Sequence, residues 1–373
     1  MAVSVLFVCR SFHRMAGGVE RMATAMMNEM VNRGFKVGLL TWDEENAEAH
    51  YELNPKIEWM KLDMGNPENA AGWRLRFHRQ VRIRHVIQDF QPDVIIAFQV
   101  GAFIATRTAL LGTRIPIIAA ERNSPDLFDH VRHGKQLRRW SNLFLATSDC
   151  ITVQLESYRM KYPAFLRKRI VAIPNPVWQP LSPRSHNNQA SQTQLILSMG
   201  RLCYQKNQTF LLRAFSLIAD KNPNWTLALV GDGEAAAELR SLAEKLKLTD
   251  RVIFPGSVKD VSDWYEKSAF LAFPSLWEGF PNALVEALSY GVPAIGLKST
   301  SGVNELLQDG YNGLLVESTE AAFAEAMQRM INSPEMSQNM GEMAIESVAK
   351  YAPSHIFDRW QKLFSDLARG HKS

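Results

Sequence analysis

Glu278 and Glu286 stand eight residues apart in the stretch PSLWEGFPNALVEALSYGVPAIG, residues 274–296. The first lies in a Gly/Pro break and the second inside a segment that reads as a short helix. Pro281 fits the first helical position and Gly291 the stop. Phe280, Asn282 and Ala283 are placed to offer backbone N–H groups at the helix start, whereas Pro281 has none to offer. Glu278 then sits in the loop where a ligand's polar tail would lie. Glu286, one turn past Asn282, is placed to accept hydrogen bonds from vicinal hydroxyls, as a carboxylate does on a ribose. Each such charge-assisted bond contributes about 1.5–3 kcal/mol. The plain alternative is an amphipathic helix whose wet stripe is Asn282, Glu286 and Ser289.

Two other junctions carry chemistry of a matching kind. In LILSMGRLCYQKN (195–207), Gly200 ends a strand, and Arg201 and Lys206 flank the loop that opens the next helix. A guanidinium fork and an ammonium point charge at a strand's carboxyl end suit a diphosphate. Two solvated surface cations are the alternative. In RSFHRMAGGVER (10–21), Gly17-Gly18 precedes a helix, so free N–H groups at the positive end of a helix dipole can approach a phosphate. A tight turn explains that pair as well.

The elements that must position these residues alternate from end to end. Apolar runs at 4–9, 36–41, 93–98, 115–120 and 142–147 read as strands, with a helical face of Val19, Met22, Ala23, Met26, Met27 and Met30 between the first two. Continuous apolar strands are buried on both faces, which requires a parallel sheet covered by helices. Residues 174–194 carry four prolines and a polar tail and read as a linker. Beyond it the alternation restarts, with strands at 195–200, 225–231, 251–256, 269–274, 292–296 and 313–316. The expected architecture is therefore α/β, with two similar halves. Open sheets of this kind bind ligands beyond the carboxyl ends of their strands, and two facing sheets make a cleft.

Composition narrows the class. With 373 residues, 46% hydrophobic and 21% charged, the chain is long enough for two cores and too apolar for disorder. Cys9, Cys150 and Cys203 lie in or beside apolar runs and read as free thiols of a reducing compartment. The opening MAVSVLFVCR lacks a basic region ahead of its apolar run and reads as a first strand rather than a signal peptide. The longest apolar run, 94–106, is too short to span a bilayer. Residues 1–178 carry 24 Lys+Arg against 17 Asp+Glu, a balance of +7, while residues 179–373 carry 18 against 21, a balance of −3. The basic half suggests an anionic partner such as phosphate or a lipid surface.

E-G-F-P-N-x-x-x-E, preceded by G-R-L-x-x-x-K-N and an N-terminal G-G-x-E-R, resembles the retaining glycosyltransferases of family 4, which have the GT-B fold. The resemblance covers essentially the whole chain. It implies two Rossmann-like domains facing a cleft: residues 1–178 for the acceptor and 191–352 for the nucleotide sugar, with 353–373 crossing back onto the first. It implies that Arg201 and Lys206 bind the donor's diphosphate and steady the leaving group. Glu286 would hold the ribose hydroxyls, and Glu278, with the Gly279-Phe280 backbone, the donor sugar's. Gly17-Gly18 would belong to a loop closing over the donor. The implied donor is a UDP-sugar and no metal or other cofactor is needed, because cations and helix dipoles neutralise the charge.

One departure from the family concerns the reacting centre. Where many members carry a histidine, this chain has Glu121-Arg122-Asn123; a subset of bacterial polysaccharide transferases resembles it in the run E-R-N-x-P. Arg122 would pair with an acceptor phosphate or the donor sugar and Glu121 would act as a base. Alternatively the two pair with each other.

Two basic stretches, 73–85 and 130–140, suit an acceptor linked to polyprenyl diphosphate at an anionic membrane, which implies a cytoplasmic enzyme at the inner face of the cell membrane. On a helical wheel the five arginines of the first do not separate from its apolar residues. No recognition motif accompanies them, so nucleic acid is not expected. The other readings in play are a UDP-sugar epimerase, a sugar phosphorylase and a non-enzymatic sugar-binding protein. A nicotinamide dehydrogenase is disfavoured because VGDGE (230–234) falls short of G-x-G-x-x-G.

Overall fold

The computed structural model describes residues 2–15, 17–65, 67, 69, 72–178, 180 and 194–370. The expected linker therefore lies largely outside the described residues. The chain forms two compact units: Met1–Pro176 together with Pro353–Ser373, and Val177–Ala352.

The first unit runs β1 (Ser4–Cys9), α1 (Gly18–Asn32), β2 (Lys36–Thr41), β3 (Glu58–Lys61), α2 (Trp73–Phe90), β4 (Val94–Phe98), α3 (Gln99–Ala109), β5 (Ile117–Ala120), α4 (Gly134–Leu145), β6 (Cys150–Val153), α5 (Glu156–Lys161), α6 (Ala164–Arg167) and β7 (Ile170–Ala172). Its sheet has the order β3-β2-β1-β4-β5-β6-β7, every pairing parallel. Every residue of β1 is buried, as are those of β4 and β5, because helices cover both faces.

The second unit runs β8 (Leu195–Met199), α7 (Gln208–Ser216), β9 (Thr226–Val230), α8 (Ala236–Lys245), β10 (Val252–Gly256), α9 (Ser262–Lys267), β11 (Phe270–Phe273), α10 (Asn282–Ser289), β12 (Ala294–Leu297), α11 (Val303–Leu306), β13 (Gly313–Val316), α12 (Glu320–Asn332) and α13 (Pro334–Val348). Its parallel sheet has the order β10-β9-β8-β11-β12-β13. Phe215, Phe270 and Phe323 are fully buried in one apolar cluster of this unit.

The last helix, α14 (Pro353–Gly370), belongs to the first unit. Ile356, Phe357, Trp360, Phe364 and Ala368 recur at helical spacing and are all buried. Phe364 meets the edge of Phe7 on β1 with ring centres 6.1 Å apart. Arg33, at the end of α1, reaches Asp358 and Gln361, each at 2.6 Å.

The expectation of a strand at 142–147 is corrected. Those residues continue α4 to Leu145, and the strand is β6, at Cys150–Val153. Leu143 and Phe144 are exposed, so the apolar run is the outer face of a helix rather than a buried strand. A short apolar run has no period that separates the two.

Candidate active site

In the second sheet the chain moves from β8 outward through β9 and β10, then returns to the other side of β8 with β11. Such a reversal leaves a crevice at the carboxyl ends of the two strands, because their loops diverge. The segment 200–207 leaves β8 there, and the segment 274–281 leaves β11. Gly200 and Gly231 make the close approach behind it possible. A Cβ on Gly231, which has φ +136, would lie 2.1 Å from the Gly200 carbonyl oxygen.

The two loops are stitched together by backbone and amide groups. Gln205 Nε2 donates to the Trp277 carbonyl at 2.7 Å, and Leu276 N–H donates to the Gln205 carbonyl at 2.9 Å. Lys206 closes a single 3-10 turn, and Asn207, with φ +57, redirects the chain into α7. This places Lys206 Nζ 2.7 Å from Glu278 Oε1 and 5.1 Å from the centre of the Phe273 ring. Glu278 is 5% exposed, so its charge is largely removed from water and the lysine helps to offset that cost. Arg201 is exposed, and its guanidinium makes no ion pair among the described residues. The structure thus brings together Arg201, Lys206, Glu278, Gly279, Phe280, Asn282, Ala283 and Glu286 on two adjoining loops and one helix.

Details of the helix start differ from expectation. Pro281 is not the first helical residue but the cap before it, with φ −77 and ψ 72. These angles make an inverse γ-turn, and Asn282 N–H accordingly donates to the Phe280 carbonyl at 2.8 Å. Asn282 N–H is therefore occupied. The N–H groups of Gly279, Phe280 and Ala283 have no acceptor among the described residues.

The wet-stripe alternative is also corrected. Ser289 is 1% exposed, and its hydroxyl donates to the Glu286 carbonyl one turn back at 2.7 Å. Glu286 is half-buried and accepts a hydrogen bond from Tyr265 Oη at 3.1 Å. Tyr265 is fully buried on α9, with its ring centre 5.2 Å from that of Tyr290. Sequence reasoning missed Tyr265; nothing in a six-residue helix marks a buried tyrosine as the group that aims a carboxylate. If Glu286 contacts a nucleotide's ribose, Glu286→Ala weakens UDP binding by roughly 1.5–3 kcal/mol, about 10- to 150-fold in Kd. Calorimetry on the folded variant checks this; an unchanged Kd removes Glu286 from the site.

The remaining candidates lie in the first unit. Gly17 caps α1 and Gly18 is its first residue. A Cβ on Gly17 would come within 2.2 Å of Glu20 Oε2. Glu20 lines a cavity of about 240 Å3 with Cys9, Arg10 and Phe98, at the reversal between β1 and β4.

Glu121 and Arg122 follow β5, and they do not pair with each other. Arg122 is buried and donates to Asn175 Oδ1, while Gln154 Nε2 donates to the Arg122 carbonyl at 2.7 Å. Arg122 Nη1 has no acceptor among the described residues. Glu121 reaches solvent with part of its surface, yet its carboxyl is enclosed, and burial pushes it up from an ordinary 4.5 to about 7. Burial likewise lowers Arg122 to about 9.

The sign of the Glu121 effect is testable. Folding favours the protonated acid, so the native state binds more protons than the unfolded chain between pH 4.5 and about 7. Stability is therefore highest below that window and falls as pH rises through it. Glu121→Gln removes this fall, which chemical denaturation of both proteins at pH 5 and pH 8 measures; parallel pH profiles would contradict it.

Comparisons with known proteins bear on this arrangement. Residues 16–177 match the family model described as Glycosyltransferase Family 4, and residues 183–347 match that of Glycosyl transferases group 1. A Campylobacter jejuni N-acetylgalactosaminyltransferase is 27% identical over 356 residues, covering 94% of this chain and 96% of the relative. Its name gives its acceptor as a saccharide on PP-undecaprenol. The structure of sucrose-phosphate synthase from Thermosynechococcus elongatus superposes with a TM-score of 0.82 at 19% identity, over 99% of this chain and all of the other. That of Anabaena HepE in complex with UDP and glucose superposes with a TM-score of 0.78 at 18% identity, over 97% and 99% of the two chains.

Proposed function

Since the chain belongs to the family 4 glycosyltransferases of the GT-B fold, and so is a transferase that uses a nucleotide sugar, we propose that its donor is a UDP-sugar. It moves a hexose or N-acetylhexosamine, with retention, onto a lipid-linked saccharide in cell-surface glycan synthesis. The observation that carries this reading is the Lys206–Glu278 pair at the β8/β11 reversal, with Arg201 beside it and the start of α10 in front.

The roles follow from charge and position. Arg201 and Lys206 take the donor's diphosphate and stabilise the charge that grows as the bond to the sugar breaks. Lys206 then turns from Glu278 to phosphate, and Glu278 accepts hydrogen bonds from the sugar's hydroxyls. Free N–H groups at Gly279, Phe280 and Ala283 add dipoles to the same place. Glu286, aimed by Tyr265, holds the ribose. In the first unit, Gly17-Gly18 belongs to the loop over the donor, and Arg122, whose buried Nη1 has no acceptor among the described residues, is assigned to the reacting sugars. Glu121, whose carboxyl burial raises to about 7, is suited to passing a proton. The bound UDP in the Anabaena neighbour and the PP-undecaprenol in the Campylobacter relative's name support donor and acceptor respectively.

A membrane setting has its own support in α4. Leu137, Trp140 and Phe144 form one exposed apolar stripe, with Leu143 beside it, and Lys135, Arg138 and Arg139 flank them. A helix of this kind lies in the interface of an anionic bilayer. Among the described residues no helix is long and apolar enough to cross a membrane, so the contact would be peripheral. Replacing Trp140 by Ser should weaken sedimentation with vesicles containing anionic phospholipid about tenfold. Equal binding of both proteins would remove α4 from the membrane.

Transfer itself is tested with a panel of UDP-sugars and polyprenyl-diphosphate-linked saccharides in the presence of EDTA. Product formation with the donor's anomeric configuration kept, read by NMR, is expected. Transfer from GDP- or ADP-sugars only, inversion, or a strict need for metal would overturn the corresponding part.

A further inference from the structure

The chain passes between its two units twice, from Pro176 to Val177 and from Ala352 to Pro353. A proline stands at each passage, and its fixed φ restricts the backbone there. The two passages are tied to each other, because Val177 N–H donates to the Tyr351 carbonyl at 2.9 Å. Val177 and Tyr351 are both buried. The Tyr351 ring meets that of Phe280 edge to face, with centres 5.8 Å apart and planes at 80°. Burial and the nearby charge of Glu305 push the Tyr351 hydroxyl up to about 12, so the residue acts through its ring and its carbonyl rather than through charge.

Phe280 differs from its neighbours in what holds it. The other residues of the segment leaving β11 are held by side chains and backbone of the crevice itself. Thr300 Oγ1 donates to the Ser275 carbonyl at 2.6 Å, Gln205 holds Leu276 and Trp277, and Lys206 pairs with Glu278. Phe280 is held by a ring at the passage between units. An edge-to-face pair prefers one arrangement, so Tyr351 sets where Phe280 sits and does not merely cover it. The turn at Pro281 follows, since its hydrogen bond runs from Asn282 N–H to the Phe280 carbonyl. On the first unit's side of the other passage, Asn175 precedes Pro176 and accepts a hydrogen bond from Arg122 Nη2.

We propose that Tyr351 is a positioning residue for sugar transfer. Its ring fixes Phe280, and with it the turn at Pro281 and the N–H groups of Gly279 and Phe280, which have no acceptor among the described residues. Through Val177, this end of the donor site is anchored where the chain leaves the second unit. The part these N–H groups play toward the donor sugar rests on the reading above; the hold of Tyr351 on the turn does not. Arg201, Lys206 and Glu286 are positioned by other contacts, so UDP affinity and turnover should respond differently.

The test compares Tyr351→Leu, which keeps an apolar side chain and loses the ring, with Tyr351→Phe, which keeps the ring. In Tyr351→Leu, amide hydrogen exchange in the peptide 274–283, whose bonded amides include Leu276 and Asn282, is expected to quicken about tenfold. Its kcat for transfer is expected to fall about 10- to 100-fold while the Kd for UDP stays within about twofold. Tyr351→Phe is expected to match the wild type in all three. Should Tyr351→Leu fail to fold, Phe280→Leu removes the same ring pair from the other side and is expected to give the same split. Where both fold, the double variant should lose no more turnover than the worse single one, because both remove one contact. Unchanged exchange and turnover in the leucine variants, UDP affinity lost in step with turnover, additive losses in the double variant, or a Tyr351→Phe as impaired as Tyr351→Leu would each overturn the proposal. If the wild type transfers from no UDP-sugar, the donor reading fails alone, and the exchange measurement still tests the hold of Tyr351 on the turn.

Discussion

Lys206→Ala is expected to lower kcat/KM for transfer about 10²- to 10³-fold, the usual loss when one pre-organised stabiliser of developing charge is removed. The same substitution is expected to destabilise the second unit by about 3 kcal/mol. Glu278 is 5% exposed and has Lys206 Nζ at 2.7 Å. Deleting the lysine breaks the ion pair of a carboxylate in a poorly hydrated place, and breaking such pairs costs about 3–5 kcal/mol. The lower end applies because the lysine side chain keeps 18% of its exposure. The two effects separate by partner. Glu278→Ala removes the buried anion and leaves a cation that water can still reach, so it should spare UDP affinity while reducing turnover. Equal loss of UDP binding and turnover in Glu278→Ala would contradict its assignment to the sugar. Transfer by Lys206→Ala within tenfold of wild type would contradict the role of the lysine.

Trp360→Ala is expected to destabilise the first unit by about 3 kcal/mol, although the residue lies in the last helix of the chain. Its side chain is fully buried, as is Phe364 one turn on, and their ring centres lie 5.6 Å apart. Truncating a buried Trp or Phe to Ala usually costs 3–5 kcal/mol, from lost transfer energy and the cavity left behind. Trp360 Nε1 has no acceptor among the described residues, so part of what is lost was already unfavourable, which sets the lower end of the range. The protein has two units, so the change is read from the transition of the first unit rather than from one global midpoint. A change under about 1 kcal/mol would show that α14 is dispensable to that unit's core.

Much of the fold was legible because buried parallel strands announce themselves. β1 and β2 appear in the sequence at the bounds the structure gives them, as uninterrupted apolar runs closed by Arg10 and Trp42-Asp43. The short edge strands β3 and β7 did not stand out, since Glu58–Lys61 is mixed and half-exposed, and Ile170–Ala172 has only three residues. The helix α4 was misread for the reason its outer face is interesting: it carries an exposed apolar stripe.

Within the site, residue types told of charge, and the chain order told which strand ends they follow. The ion pair between Lys206 and Glu278 spans 72 positions and was not foreseen, because only the adjacency of β8 and β11 brings the two loops together. The turn at Pro281 was placed one residue off because proline suits both the cap and the first helical position, and the choice depends on ψ. Tyr265, Gln154 and Asn175 stayed silent in the sequence. Each acts by holding another side chain or backbone group, and no spacing records that.

The measurement that bears most directly on the central claim is calorimetric titration of the full chain with UDP, GDP and ADP in turn, repeated on Lys206→Ala. The account predicts that UDP binds in preference to the other two and that the variant loses at least tenfold of that affinity. Binding of no nucleotide, or UDP binding indifferent to Lys206, would contradict the assignment of the β8/β11 crevice as the donor site.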